Sequence, residues 1–320
     1  MRSYIIRRLL LLVITVFLVT ILCFLSIRLI PGNVIDMMVA DMAEGGMGGS
    51  ELTADYIRHS LGLDAPVYVQ YGRWITSGLQ GDLGKSLWTS VPVLELIAQR
   101  LPVTLEMIVL AMLIAITIAL PVGTFSAIRQ DTTGDYIGRT IAILAISLPS
   151  FWLGTMVMVY PAVWWDWSPP IQYTHLHVNP IVNLQQMILP SIILGAVLSG
   201  VTMRMTRTMM LEVLRQDYIR TAWAKGLTER TIIIRHALKN ALIPVITVIG
   251  TQVAFLVGGS VIMETIFVLP GVGRLLIDAL RKRDYPVISG VNLIMATFVL
   301  IINLVVDLTY AYLDPRIHYK

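Results

Sequence analysis

The segment 78–86, Gly-Leu-Gln-Gly-Asp-Leu-Gly-Lys-Ser, resembles a phosphate-binding loop, in which backbone N–H groups and a lysine hold the phosphates of a nucleotide. The spacing of its glycines argues against that function. The motif needs a glycine five residues before Gly84, where this chain has Leu79, and Gly78 comes one residue too early. No buried-strand pattern precedes the segment. We therefore predict that no nucleotide binds here.

Metal binding and covalent catalysis have little support in the sequence. His175 and His177 lie two residues apart, near Asp166. A metal could contact this pair, but two histidines in an exposed loop are more often solvated. No nucleophile stands in a recognisable hydrolase motif, and the single cysteine, Cys23, cannot form an intrachain disulfide. We expect no catalytic residue, no cofactor and no metal in this chain.

The most informative polar segment is basic and contains closely spaced small residues. It covers residues 217–227 and continues through 235–244. Its small residues Ala222, Ala224 and Gly226 would allow the backbone of another protein to come close, and the flanking basic residues could reach acidic groups or lipid phosphates. The alternative is a basic helix that rests on lipid headgroups beside the membrane.

Membrane-spanning helices must position these segments. Apolar residues make up 56% of the 320 residues and charged residues only 14%, whereas a soluble domain carries about 25% charged residues. A helix needs about 20 apolar residues to cross the hydrocarbon core. We predict an all-α membrane protein with about six transmembrane helices, at 9–27, 107–128, 140–165, 187–203, 241–263 and 287–306.

The distribution of Lys and Arg predicts the orientation of these helices, because basic residues are enriched in cytoplasmic loops. Most of the 24 Lys and Arg residues fall on one side if both termini are cytoplasmic, and the loop 204–240 holds the largest group. Arg274 and the run 281–283 fall on the other side as a misfit. The first apolar stretch is longer than the core of a secretory signal, about 7–15 residues, so we interpret it as a retained helix.

Two loops are too long to be simple connections. The first, about 32–100, contains the helix-like stretches 51–63 and Val67–Leu79. The second, 204–240, has one central glycine, Gly226, and few turn signals. We interpret it as two short helices that break near this glycine.

Motifs along nearly the whole chain resemble those of ABC importer permeases, in the branch that imports dipeptides, oligopeptides and nickel. The loop 217–244 resembles the cytoplasmic EAA loop of that family, whose short helix docks into a groove on the ATPase subunit. Other matching motifs follow in the family's order: Arg-Arg-Leu at 7–9, Ile-Pro-Gly at 30–32, Leu-Gly-Leu-Asp-Ala-Pro at 61–66, Gly-Asp-Leu-Gly-Lys-Ser at 81–86, Arg-Met-Thr-Arg at 204–207, Glu-Thr-Ile-Phe at 264–267, Pro-Gly-Val-Gly-Arg at 270–274, Arg-Asp-Tyr-Pro at 283–286 and Asp-Pro-Arg at 314–316. By this resemblance, the outer basic cluster is a feature of the family.

The resemblance assigns ATPase coupling to one run of residues: Arg220, Thr221, Ala222, Trp223, Ala224, Lys225, Gly226 and Leu227. Residues 220–222 stand at the family's Glu-Ala-Ala triplet, and Gly226 stands at its glycine. The glutamate is missing, and the interval from Gly226 to Pro244 is longer than in sugar-type permeases; both departures are typical of this branch. Trp223 stands where the branch usually has arginine.

The nearest match is the B-type subunit of a peptide importer. This implies a chain that works in the bacterial or archaeal inner membrane with a second homologous permease of the C type, two ABC ATPases that carry ATP and Mg, and an extracytoplasmic solute-binding protein. It implies contact with membrane lipid and none with nucleic acid. The last five helices would form the permease core, so we divide the chain into 1–100, with the first transmembrane helix and an extracytoplasmic loop, and 101–320, with the EAA-type loop 204–240.

Several alternatives stay open. Nickel chelates, glutathione and oligosaccharides are further substrates of this branch. An ion-coupled secondary transporter would need inverted repeats and broken helices around a midplane site, and an intramembrane enzyme would need paired catalytic groups. Gln252 and Asn303 could line a transport pathway or form hydrogen bonds between helices. We expect Asp307 to lie at the membrane interface. We expect Glu264, Asp278 and Asp284 to form internal ion pairs.

Overall fold

The computed structural model describes residues 2–28, 64–170 and 172–313. The regular elements of these segments are helices. Side chains are described for 5–25, 64–170 and 172–309. The helices are α1 (Arg2–Arg28), α2 (Val67–Leu79), α3 (Val93–Ile128), α4 (Thr133–Ser147), α5 (Ser150–Trp165), α6 (Pro180–Leu214), α7 (Asp217–Ala224), α8 (Glu229–Ile266), α9 (Val272–Lys282) and α10 (Tyr285–Leu313).

Five of these helices are long and apolar enough to cross a membrane, namely α1, α3, α6, α8 and α10. The pair α4 and α5 makes a sixth candidate span, which is bent by 91°. The all-α class and the count of about six spans are therefore confirmed. Helices α3 and α6 extend well beyond the apolar stretches that predicted them, since polar residues at their ends continue the helix.

The bend between α4 and α5 corrects the prediction of one uninterrupted helix at 140–165. α4 ends at Ser147, and Leu148 is extended, with φ −85° and ψ 125°. The ring of Pro149 disfavours a helical conformation at the residue before it, which explains why the helix stops here. Pro149 is the N-cap residue of α5.

The chain forms two compact units, and α6 is the centre of the first one, which comprises Met1–Leu9, Pro102–Arg274 and Val299–Lys320. In this unit α6 packs against α4 and α8. Small residues allow the close approach: a Cβ at Gly200 would lie 2.6 Å from the carbonyl oxygen of Ala142, so only glycine fits there. The division of the chain at residue 100 stays a prediction.

The second unit, Leu10–Leu101 with Leu275–Phe298, holds α2 against α1. Thr20 and Tyr71 share a hydrogen bond of 2.8 Å between their hydroxyl oxygens, and the Phe24 ring lies edge-on to Tyr71 with centroids 5.2 Å apart. The helix predicted at Val67–Leu79 has those bounds in the structure. The other predicted stretch, 51–63, lies outside the described residues.

The loop that resembled a phosphate-binding loop has a structural function in this second unit. α2 precedes it, and Gly81 and Gly84 adopt φ values of +83° and +84°, which glycine tolerates. The Ser86 hydroxyl donates to the Asp284 carboxylate at 2.5 Å, and the Leu87 N–H donates to the same carboxylate at 3.1 Å. The loop is therefore tied to the turn between α9 and α10.

Candidate coupling site

α7 is an eight-residue helix that ends in a left-handed turn. The N–H of Leu227 donates to the carbonyl oxygen of Ala222 at 3.3 Å, and the N–H of Gly226 donates to that of Trp223 at 2.9 Å, which together form a Schellman motif. Gly226 has φ +76°, and no atom lies within 4 Å of the position where a Cβ would stand. Within this chain, the glycine is needed for the turn and not for close packing.

One face of α7 is buried inside the chain. Ile219 is 1% exposed and Ala222 is 7% exposed. Both belong to an apolar group that we call the junction cluster: Ala127, Met210, Ile219, Ala222, Ile232, Ala237 and Ala241. Ala222 is one of the small residues predicted to allow close approach of a partner. Its burial instead makes it part of the support beneath α7.

The other seven residues of the coupling run are exposed: Arg220, Thr221, Trp223, Ala224, Lys225, Gly226 and Leu227. Two of them carry large apolar side chains, since Trp223 is 49% exposed and Leu227 is 38% exposed. Tyr218 adds a third, at 44%, and its hydroxyl accepts a hydrogen bond from Asn240 at 2.9 Å. Exposed aromatic and aliphatic side chains among basic residues are typical of a protein interface.

After the turn, α8 begins at Glu229 and continues without interruption to Ile266. The break predicted near Gly226 is confirmed. The prediction of a second short helix is wrong, because the helix that begins after the turn continues into the apolar span. Residues Ile232–Leu238 of α8 form a π-helical segment, which the sequence did not predict. Such wide turns are often found at functional sites. The coupling run is thus joined directly to a membrane-spanning helix.

A buried ion pair connects three helices beside the junction cluster. Asp135, at the start of α4, accepts hydrogen bonds from Arg207 of α6 at 2.9 and 2.8 Å. The Ser126 hydroxyl of α3 and the N–H of Asp131 also donate to it, the latter at 3.0 Å. Arg139, one turn along α4, lies 3.4 Å away. A carboxylate with this many donors holds the ends of α3, α4 and α6 in one arrangement.

The candidate pathway residues have different surroundings. Gln252 is 7% exposed, and its Oε1 accepts a hydrogen bond from Thr202 at 3.1 Å, which links α8 to α6. Asn303 is half-buried on α10, and no hydrogen bond joins it to Gln252 in the described part of the chain. Lining of a pathway by these residues stays a prediction. Asp307, on the same helix as Asn303, pairs with Arg8 at 2.8 Å.

Two of the carboxylates expected to form ion pairs accept hydrogen bonds. Glu264 is fully buried and accepts from the Thr104 hydroxyl at 2.6 Å and from the N–H of Arg274 at 2.8 Å. Asp284 accepts from Ser86 and Leu87, as described above. The motifs 264–267, 270–274 and 283–286 therefore contribute to the packing of the chain.

Comparisons with known proteins place the chain in a family. Residues 1–108 match the N-terminal part of binding-protein-dependent transport system membrane components, and residues 119–319 match the family described as binding-protein-dependent transport system inner membrane component. The chain is 39% identical to the dipeptide transport system permease protein DppB of Escherichia coli (strain K12) over 343 aligned positions, which cover 100% of both chains. It is 41% identical to the protein of the same name from Alkalihalophilus pseudofirmus, again over 100% of both chains.

The fold has a solved counterpart in the MetNI methionine ABC transporter in inward-facing conformations. That match has a TM-score of 0.55 and 18% identity, and covers 68% of this chain and 96% of the other. The resemblance inferred from the motifs is thereby confirmed, as is the expectation of a transport subunit and not an enzyme. The chain belongs to the family of inner membrane permease components of binding-protein-dependent ABC importers.

Proposed function

We propose that this permease passes dipeptides or oligopeptides across the inner membrane, and that α7 with its left-handed turn receives the motion of an ATPase subunit. The substrate class rests on the two dipeptide permeases that match over the whole chain. The coupling function rests on one observation: Trp223 on α7 and Leu227 in the turn after it are exposed, whereas the opposite face of α7 is buried in the junction cluster.

The packing of α7 gives a physical route from the ATPase to the span. Ile219 and Ala222 contact the same cluster as Met210 of α6 and Ile232 of α8, so a displacement of α7 must move the ends of both helices. The ion pair between Asp135 and Arg207 carries the same displacement to α4. ATP and Mg belong to the ATPase, and hydrolysis there supplies the energy.

The partners follow from this assignment. A second homologous permease completes the pathway, two ATPases each take up one coupling helix, and a solute-binding protein delivers peptide on the outer side. In this arrangement α7 and both termini are cytoplasmic. Nickel chelates, glutathione and oligosaccharides are the alternative substrates. Uptake that persists without a proton gradient while ATP remains would distinguish this importer from an ion-coupled transporter.

Replacement of Trp223 by alanine tests the coupling surface. Truncation of an interface aromatic costs about 2 kcal/mol or more, which is a loss of about thirtyfold in association. We expect Trp223→Ala to insert normally but to lose ATPase subunits during purification and to lose peptide uptake. Trp165→Ala is the matched control, because Trp165 is 70% exposed on α5, away from the coupling run. Equal ATPase recovery from both variants would refute the assignment.

The orientation is tested by cysteine labelling in a Cys23→Ser background. Gln80 and Glu229 are both exposed, so a cysteine at either position is accessible to a thiol reagent. An impermeant reagent added to intact cells should label position 80, and position 229 only after the membrane is opened. Asp284 is unsuitable as an outer probe, since it is 5% exposed and holds the loop at Ser86. External labelling at 229 would invert the orientation.

A further inference from the structure

Glu106 of α3 is a carboxylate with an incomplete set of partners. Its Oε2 accepts a hydrogen bond from the Tyr173 hydroxyl at 3.1 Å. Its Oε1 is buried and accepts none from the residues that the structure describes. A carboxylate at membrane depth is costly without a compensating charge or donor, and the structure pairs no Lys, Arg or His of the described segments with it.

Asn183 of α6 presents a second acceptor beside the same tyrosine. It is fully buried, and its Nδ2 donates to the Thr174 carbonyl at 3.0 Å and to the Tyr173 hydroxyl at 3.5 Å. These two bonds fix which end of the amide is the oxygen. That Oδ1 is also buried and accepts no hydrogen bond in the described segments. Both residues that contact the Tyr173 hydroxyl therefore carry a buried acceptor atom without a partner in the described segments.

The loop that carries Tyr173 is held in place. Gln186, one turn after Asn183 and 2% exposed, donates to the carbonyl oxygens of Pro170 at 2.8 Å and Gln172 at 2.6 Å. It also accepts from the N–H of Thr174 at 3.0 Å. Every bond of this group ties the loop to α6. The position of the Tyr173 hydroxyl is therefore built into the fold.

We propose that Glu106, Asn183 and Tyr173 form a binding site for a primary ammonium group. An ammonium has one positive charge and three N–H donors, which match one carboxylate, one amide oxygen and one phenol oxygen. The three oxygens are too few for Ca²⁺, which takes six to eight ligands. Burial, and then the Glu106 carboxylate, raise the pKa of Tyr173, so its hydroxyl stays protonated and its oxygen keeps a lone pair for a donor.

A peptide substrate carries such a group at its N-terminus. The identification of a peptide as the ligand rests on the proposed function, whereas the ammonium site itself rests on the three side chains. In the orientation proposed above, the loop between α5 and α6 is on the outer side, where peptide enters. The site would then select substrates with a free amine.

Binding of ethylammonium chloride to the purified full chain in detergent tests the site directly. Saturation-transfer NMR should show saturable binding to the native chain. Glu106→Gln, which keeps the shape and removes the charge, should weaken binding at least about tenfold, since hydrogen bonds to charged groups contribute about 1.5–3 kcal/mol. Tyr173→Phe should weaken it less. Glu95→Gln is the control, because Glu95 is exposed on the same helix and its carboxylate accepts a hydrogen bond only from Gln99 among the described residues.

Two further results separate the explanations. If neither N-ethylacetamide nor moderate sodium chloride displaces bound ethylammonium, the result supports the proposal. Sodium binding without ethylammonium binding, or no binding of either cation, overturns it. In the complete importer, Glu106→Gln should raise the half-saturating concentration of dialanine about tenfold. If ethylammonium binds but the importer takes up no peptide, only the proposed substrate is refuted. If ethylammonium does not bind, and native and Glu106→Gln importers take up dialanine equally, only the site is refuted.

Discussion

Substitution of Gly226 shows how the turn after α7 depends on its backbone. The φ of +76° is left-handed, and the open space around the position means that a new side chain meets no clash within the chain. The cost therefore comes from the backbone: about 1–2 kcal/mol for alanine, and less for asparagine, whose short polar side chain tolerates this conformation. A cost of about 1.4 kcal/mol would open the turn about tenfold more often.

Two explanations of this glycine rank the variants differently. If the left-handed turn alone matters, Gly226→Asn should retain more ATPase than Gly226→Ala. If a partner backbone must come close, the smaller alanine should retain more. The empty surroundings within the chain favour the first ranking. Gly226→Asp adds a charge at the proposed interface and should lose ATPase and uptake in either case.

The assay is the amount of ATPase that copurifies with this chain from detergent, together with ATP-driven uptake of dialanine. Membrane insertion of each variant is the control for folding. The coupling assignment fails if Gly226→Ala, Gly226→Asn and Gly226→Asp all keep native ATPase recovery and native uptake. In that case the basic segment would rest on lipid headgroups, where one added charge changes binding by only about 1 kcal/mol.

Two further predictions concern stability. Asp135→Asn leaves Arg207, whose side chain is 16% exposed, without its charged partner, and should destabilise the first unit by about 3 kcal/mol. Thermal unfolding in detergent measures this loss. The control is Asp217→Asn, which removes an exposed ion pair and should change the stability little. Val268 has φ +58°, which is unfavourable for a β-branched residue, so Val268→Gly should raise the midpoint of unfolding by about 2 °C. A lower midpoint would mean that the Val268 side chain contributes more by packing than its backbone costs.

Some elements follow directly from local sequence. The helix Val67–Leu79 has the bounds that its pattern predicted, and the break at Gly226 occurs because one glycine supplies the left-handed turn that ends α7. Apolar length was enough to locate the spans. It could not reveal the bend at Pro149, since a hydropathy window measures how apolar a segment is and not its direction. The proline itself was the available signal.

Other features depend on tertiary contacts that one sequence does not contain. The pairing of Asp135 with Arg207 joins residues 72 positions apart, and only Arg207 belonged to a recognised motif. Burial of Ala222 follows from the packing of α7 on α6 and α8, so composition alone could not distinguish it from the exposed Ala224. The π-helical segment Ile232–Leu238 lacks a local sequence signal.

The bend at Pro149 also determines which backbone groups lie without helical partners inside the bilayer. An ordinary interruption leaves several N–H and C=O groups without partners, each costing several kcal/mol in hydrocarbon. Proline has no N–H to leave unpaired, and the Ser147 hydroxyl donates to the Ile143 carbonyl at 2.8 Å. The N–H of Leu148 still reaches Leu144 at 3.2 Å, and that of Leu153 reaches Pro149 at 3.1 Å. α5, however, has no side-chain cap at its start, so the N–H groups of its first turn need water or a partner protein there. The 91° corner is therefore suited to a hydrated or protein-covered position and not to contact with lipid hydrocarbon.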